Sequence, residues 1–251
     1  LVQRGSEIEK HRRSWLLRDV DGQLRPLGYH PIWGLRDGFI YALDPSHPEV
    51  QSFLEGTFSA LCTLGFDYFK IDFLSAGLRE GRRFSTEKTN VESYREALGR
   101  IRTAIGDRFL VGCGAPLLPS VGICDALRIS SDVKEDWRDP VLGLVAGECG
   151  HPSAELAIQN CITRAHLHGT LFQNDPDCLL VRRDHSRLTD AEVETLAAVL
   201  SLTGGMLYAS FPIVGDLIPP TATLVTAASS EMPATAISMN SAAVVRVELT
   251  R

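Results

Sequence analysis

The sequence predicts an α/β chain, part of a (β/α)8 TIM barrel that holds about strands four to eight. Three observations point there. Capped amphipathic helices stop at glycine and run into short apolar strands; this unit recurs through most of the chain; and no complete dinucleotide fingerprint interrupts it. Strands that alternate with helices pair in parallel through crossovers, which leaves an open doubly wound sheet or a closed barrel. The only glycine-rich loop of the right kind, Gly112-Cys-Gly114, lacks a third glycine and meets Pro116 where a helix would start, so the barrel is preferred.

Ser46 and Glu49 have capping-box spacing, and Val50, Phe53, Leu54, Phe58 and Leu61 then share one helical face up to Gly65. The aromatic and β-branched run Asp67 to Phe73 reads as the following strand. Val91, Tyr94, Leu98, Ile101 and Ile105 define a second helix that stops at Gly106, before a strand from Phe109 to Cys113. Ala126 to Ser130 reads as a third strand. A helix from about Ser153 to His168 leads through Gly169 into a strand at Leu171 to Gln173. Thr189 and Glu192 open a last helix that ends at Gly204 and Gly205, with a strand from Met206 to Ser210.

All five strands lie after residue 66, whereas a complete barrel takes about 250 residues and eight strands. Residues 1–45 read as a long loop in which only Phe39 to Leu43 is strand-like. The expected division is a partial barrel over residues 1–218 and a tail, or the start of a β domain, over 219–251, where Ala242 to Leu249 alternates. The chain is thus read as a fragment that begins after the third barrel strand.

The 251 residues are 44% hydrophobic and 22% charged, ordinary values for a globular domain. A net charge of −6 argues against nucleic acid as a partner, since phosphate binding needs a concentrated basic face. No apolar run reaches the roughly 20 residues of a membrane span. Six cysteines without CxxC spacing read as mostly free thiols. No signal peptide is visible and a cytoplasmic location is expected, although Leu1 is no initiator. No group of His, Asp and Glu has metal-ligand spacing, so neither metal nor other cofactor is expected. His166 and His168 suit a helix end, where cations are favoured. His151 reads as loop.

Catalytic groups of parallel barrels sit at the C-terminal ends of strands. Lys70 and Asp72 flank Ile71 there, so both face one side of a strand, either as a buried ion pair or as working groups. Asp132 supplies a second carboxylate at another strand end, with Arg128 four residues before it. Two carboxyl groups are what a glycosidic bond requires: one protonates the leaving oxygen and the other meets the positive charge at the anomeric carbon.

Asp67-Tyr-Phe-Lys-Ile-Asp-Phe-Leu74, Leu127-Arg-Ile-Ser-Ser-Asp132 and Asn174-Asp-Pro-Asp-Cys-Leu-Leu180 resemble, in order and spacing, three motifs of the melibiase-type α-galactosidases, the clan of glycoside hydrolase families twenty-seven and thirty-six. His11 to Gly22 and Leu43 to Pro48 resemble the segment that precedes the nucleophile strand in bacterial members. The resemblance covers roughly residues 8–210. It implies a retaining hydrolase that releases terminal α-linked galactose from oligosaccharides by double displacement, with Asp72 as nucleophile and Asp132 as acid/base. It also implies that Lys70, Arg128 and Asp177 bind sugar hydroxyls, that Cys113 lines the pocket or is a core thiol, and that the protein forms a homo-oligomer. Trp33 and Trp137 suit loop packing better than sugar stacking. Ala209 to Asp216 departs from the family's serine-aspartate ending, which leaves the roles of Ser210 and Asp216 open. A galactosyl transferase of the clan and a non-catalytic carbohydrate-binding or inactive barrel fragment are the alternatives, with an enolase-like metal enzyme as a third.

Overall fold

The computed structural model describes residues 1–29, 38–138, 152–180 and 185–209, and two strands at 236–239 and 242–245. The chain divides into two compact units, Leu1–Asp125 and Ala126–Arg251.

The first unit opens with structure that the sequence reading treats as loop. Strands β1 (Val2–Gln3), β2 (Gly28–Tyr29) and β3 (Phe39–Tyr41) form an antiparallel sheet in the order β1-β3-β2, with Val2 opposite Tyr41 and Gly28 opposite Ile40. Helix α1 (Glu7–His11) follows β1, capped by Ser6, whose hydroxyl accepts from the Glu9 amide at 3.3 Å. Strand β3 falls within the strand-like run Phe39 to Leu43, whereas β1 and β2 are two residues long and pair with residues up to about forty positions away, so no local periodicity announces them. Their apolar side, Val2, Leu16 and Tyr41, is buried.

Helix α2 (Pro48–Thr63) begins one residue later than a Ser46 cap would place it. Its cap is His47, whose Nδ1 accepts from the Glu49 amide at 3.2 Å, and Pro48 takes the first helical position, where its missing N–H costs nothing. Ser46 instead donates its hydroxyl to Asp44 Oδ1 at 2.7 Å. Strand β4 (Tyr68–Ile71) follows. Helix α3 (Asn90–Ile105) carries a capping box, Thr89 with Glu92, and stops at Gly106. Strand β5 (Phe109–Gly112) then pairs parallel to β4, Tyr68 beside Phe109 and Ile71 beside Gly112. This β4-α3-β5 unit buries Leu98, Ile101, Ile105, Leu110 and Val111. A short helix, α4 (Leu117–Ser120), ends the unit, and its Ser120 Oγ lies 2.6 Å from the buried Tyr94 Oη.

The second unit repeats the pattern twice. Strands β6 (Ala126–Arg128) and β7 (Gln173–Asp175) pair in parallel across α5 (Ala154–Arg164), and β8 (Cys178–Leu179) and β9 (Tyr208–Ala209) pair in parallel across α6 (Asp190–Thr203). The Thr189 and Glu192 capping box forms as read. Strand β7 begins two residues later than expected, because Gly169, Thr170 and Leu171 are used in a turn in which the Thr170 and Leu171 amides donate to Leu167 O. Leu127, Ile129, Ala157, Cys161 and Leu196 are buried. Strands β10 (Ala236–Met239) and β11 (Ala242–Val245) form an antiparallel hairpin.

Candidate active site

The nucleophile candidate stands at the end of β4. Phe69 is buried while Lys70 and Asp72 are both exposed, as the alternation of a strand dictates. In this chain, then, the two charged groups are not a buried ion pair. Past Asp72 the chain turns abruptly: Phe73 adopts a left-handed conformation, φ 58° and ψ 32°, uncommon for a bulky residue. The Phe73 amide donates to Asp72 Oδ1 at 2.6 Å, which holds the carboxylate in one direction.

The neighbouring strand fixes that turn from the other side. The Cys113 amide donates to Ile71 O at 2.7 Å, while the Leu74 and Ser75 amides donate to Cys113 O and Gly114 O at 3.3 and 2.7 Å. Cys113 is 5% exposed. Gly114, at φ +52°, runs so close to the carboxylate that a Cβ there would lie 3.3 Å from Asp72 Oδ1 and 3.3 Å from the Phe73 nitrogen. Backbone strain and close approach of this kind concentrate where a fold aims a functional group.

A separate cluster occupies the ends of β6 and β7. Register places Arg128 beside Asp175, and neighbours in a parallel pair project to the same side. The Arg128 side chain is 4% exposed; its Nε lies 3.1 Å from Asp175 Oδ2, and its Nη1 lies 2.9 Å from Asp177 Oδ2 and 3.0 Å from Asp132 Oδ1. One guanidinium thus faces three carboxylates. Asp175 is fully buried and the Asp177 side chain 12% exposed, whereas that of Asp132 is 75% exposed. Asp132 is therefore the member that a solute can reach.

Asp177 is set by its own loop. Pro176 bars helical continuation for Asp175, the Asp177 amide donates to Asp175 Oδ1 at 2.8 Å, and Asp177 takes φ 76°. Its Oδ2 also accepts from the Val133 amide at 2.9 Å, which ties down the loop that carries Asp132. Behind the cluster, His168 Nδ1 accepts from the Asn174 amide at 3.1 Å, a structural contact made as an acceptor and not as the cation favoured at a helix end, and Asn174 Nδ2 donates to Arg164 O at 3.0 Å.

Within each unit the structure gathers the predicted residues: Lys70, Asp72 and Cys113 in one, Arg128, Asp132 and Asp177 in the other. Asp175 and Gly114 were not singled out by sequence reasoning, although the first aspartate of N-D-P-D and a glycine one residue past a strand-end cysteine were in view. Trp137 is half-buried and its carbonyl accepts from the Glu155 amide at 3.2 Å, in keeping with loop packing. Trp33, Cys149, His151, Ser210 and Asp216 lie outside the described residues. Cys62, Cys124 and Cys161 are free thiols, as read.

Exposed carboxylates thus stand at the ends of parallel strands, one braced by a glycine and one held by a buried arginine. No family model matches the sequence. Among solved structures the chain is similar to the α-galactosidase TtGalA from Thermus thermophilus in complex with stachyose, 28% identical with a TM-score of 0.70 over 80% of this chain and 42% of that one. The same enzyme in complex with p-nitrophenyl α-D-galactopyranoside matches with the same identity and TM-score over 80% of this chain and 40% of that one. The resemblance to melibiase-type α-galactosidases carried by the three motifs is thus also a likeness in three dimensions, to glycoside hydrolases. The chain spans about two fifths of the length of the enzyme that it matches.

Proposed function

We propose that this chain is the greater part of the catalytic (β/α)8 barrel of a retaining glycoside hydrolase that releases terminal α-linked galactose from oligosaccharides. The observation that carries this reading is the exposed Asp72 carboxylate, aimed by Phe73 and Gly114 at a parallel strand end, in a chain like TtGalA over four fifths of its length. The three successive β-α-β units support the barrel. Residues 1–218 belong to it on this reading, and 219–251 are a tail or the start of a β domain.

In the first step Asp132 gives its proton to the glycosidic oxygen while Asp72 attacks the anomeric carbon from the opposite face, which produces a β-galactosyl ester and a free leaving alcohol. In the second, Asp132 takes a proton from water, the water oxygen attacks the same carbon, and the Asp72 carboxylate departs. Lys70, Arg128 and Asp177 bind sugar hydroxyls, and Cys113 lines the pocket. The reaction needs no cofactor.

Azide separates the two roles in the full-length protein. With Asp72→Gly and p-nitrophenyl α-galactoside, azide replaces the missing carboxylate in a single displacement and yields β-galactosyl azide. With Asp132→Gly, azide attacks the covalent intermediate and yields α-galactosyl azide. The opposite pattern exchanges the assignments, and full hydrolysis by Asp72→Asn leaves a binding fragment or another catalytic centre.

A further inference from the structure

The left-handed Phe73 that aims Asp72 is not held by its own side chain. The residue is 59% exposed, and a strained backbone persists only where the surroundings over-determine it. The constraint lies in the segment that follows. Leu74–Leu78 forms a 3-10 helix, fastened at its start by the Leu74 and Ser75 amides, which donate to Cys113 O and Gly114 O.

The far end of this helix is held by Arg83. Its side chain is 3% exposed, and its Nη2 donates to Gly77 O at 3.0 Å and to Arg79 O at 2.7 Å. Its Nε donates to Asn90 Oδ1 at 2.7 Å, and Asn90 Nδ2 donates to Leu78 O at 3.4 Å. Three successive carbonyls, those of residues 77, 78 and 79, are thus taken up by one linked pair of side chains. Carbonyls at a helix end lack partners within the helix and carry its negative end, so a cationic fork suits them. Arg83 is anchored in turn: its Nη1 lies 3.6 Å from Oδ1 of Asp44, a carboxylate that also accepts from the Ser46 hydroxyl and the Phe84 amide. Little slack remains on the other side, where a Cβ on Gly77 would lie 3.1 Å from the Tyr94 ring.

We propose that Arg83, seconded by Asn90, is a positioning residue for the nucleophile: by gripping the far end of Leu74–Leu78 and tying it to Asp44, it keeps Phe73 left-handed and the Asp72 carboxylate aimed. This rests on Asp72 being the nucleophile. The effect passes through the main chain, so loss of the grip slows attack by the carboxylate and leaves sugar binding unchanged.

The test treats the full-length protein with an α-galacto-configured cyclitol epoxide, whose ring the nucleophilic carboxylate opens and then retains as an ester. Peptide mapping locates the ester, intact mass counts the labelled chains, and the time course gives kinact and KI. Arg83→Lys keeps a charge beside Asp44 but lacks the fork that reaches two carbonyls and Asn90, so kinact should fall about tenfold with KI within about twofold of wild type. Asn90→Ala leaves the Arg83–Asp44 pair in place and should lower kinact about threefold in the same manner. A residue with a structural role alone would reduce the count of labelled chains and leave kinact of the remainder untouched. A kinact within about twofold of wild type in every variant that folds overturns the positioning role and leaves Asp72 as nucleophile. In the wild type, an ester on any residue other than Asp72, or none, overturns the nucleophile assignment and the inference with it.

Discussion

Arg128 Nη1 lies 2.9 Å from Asp177 and 3.0 Å from Asp132, so a single nitrogen joins a nearly buried carboxylate to an exposed one. The guanidinium is thereby a bridge between the packed interior and the solvent-facing acid/base candidate. Its removal would leave Asp175 charged in a fully buried position. Arg128→Ala should therefore lower stability by about 3–5 kcal/mol, measured by chemical denaturation, because an uncompensated buried charge is the costly product of breaking such a pair. Arg128→Lys should recover only part of this, since an ammonium lacks the planar fork. A loss under about 1 kcal/mol in the alanine variant would mean that the cluster is not held by this residue.

Asp132→Asn is the contrasting case. Its side chain is 75% exposed and Arg128 keeps two other partners, so stability should change by less than about 1 kcal/mol. Hydrolysis of galactosides with poor leaving groups should nevertheless fall by roughly two to four orders of magnitude, the usual worth of a general acid. Equal thermal midpoints with unequal kcat would display this division.

Gly114→Ala strikes the other carboxylate without touching its charge. The φ of +52° is unfavourable for alanine, and the new Cβ would meet Asp72 Oδ1 and the Phe73 backbone at 3.3 Å. A fall in kcat of tenfold or more is expected alongside about 1–2 kcal/mol of destabilisation. Unchanged kcat would show that the carboxylate does not depend on this contact.

Burial pushes the Tyr94 hydroxyl up to about 12. An unfolded tyrosine ionises near 10, so between pH 10 and 12 the unfolded chain holds fewer protons than the folded one. The contribution is complete below pH 10 and is lost as pH rises through 12. Stability should fall in that window by roughly 1.4 kcal/mol per pH unit at most, and Tyr94→Phe should flatten the slope in denaturation series across it.

Burial likewise raises the Cys124 thiol to about 12 and the Cys161 thiol to about 11. The thiolate is the reactive form, so both should resist iodoacetamide at pH 8 in the folded protein and react promptly in denaturant. Peptide mapping after timed labelling measures this directly, and rapid modification of Cys161 without denaturant would contradict its packing.

Much of the parallel architecture was legible because local rules and tertiary contacts agree there. Thr189 with Glu192 marks a helix start, Gly106 marks a stop, and the alternation around Lys70 and Asp72 states which side chains share a face. Other features depend on partners far away in sequence. The pairing of Val2 with Tyr41 leaves no periodic trace in a two-residue strand, and the burial of Asp175 follows from register with Arg128. His47 displaced Ser46 as a cap because Asp44 captured the serine hydroxyl, a competition that residue spacing does not reveal. Gly114 was seen as part of an incomplete nucleotide motif, whereas its physical role is to let one strand end pass close to the next.

The backbone link from the Arg82 amide to Arg18 O and the bond from the Phe84 amide to the Asp44 carboxylate span sixty-four and forty positions of sequence. Closure of such loops costs entropy that only the finished tertiary structure repays. The amide protons of Arg82 and Phe84 thus act as reporters of the completed first unit, and their deuterium uptake should be as slow as that of its buried core, since both bonds open only when the long-range contacts are lost.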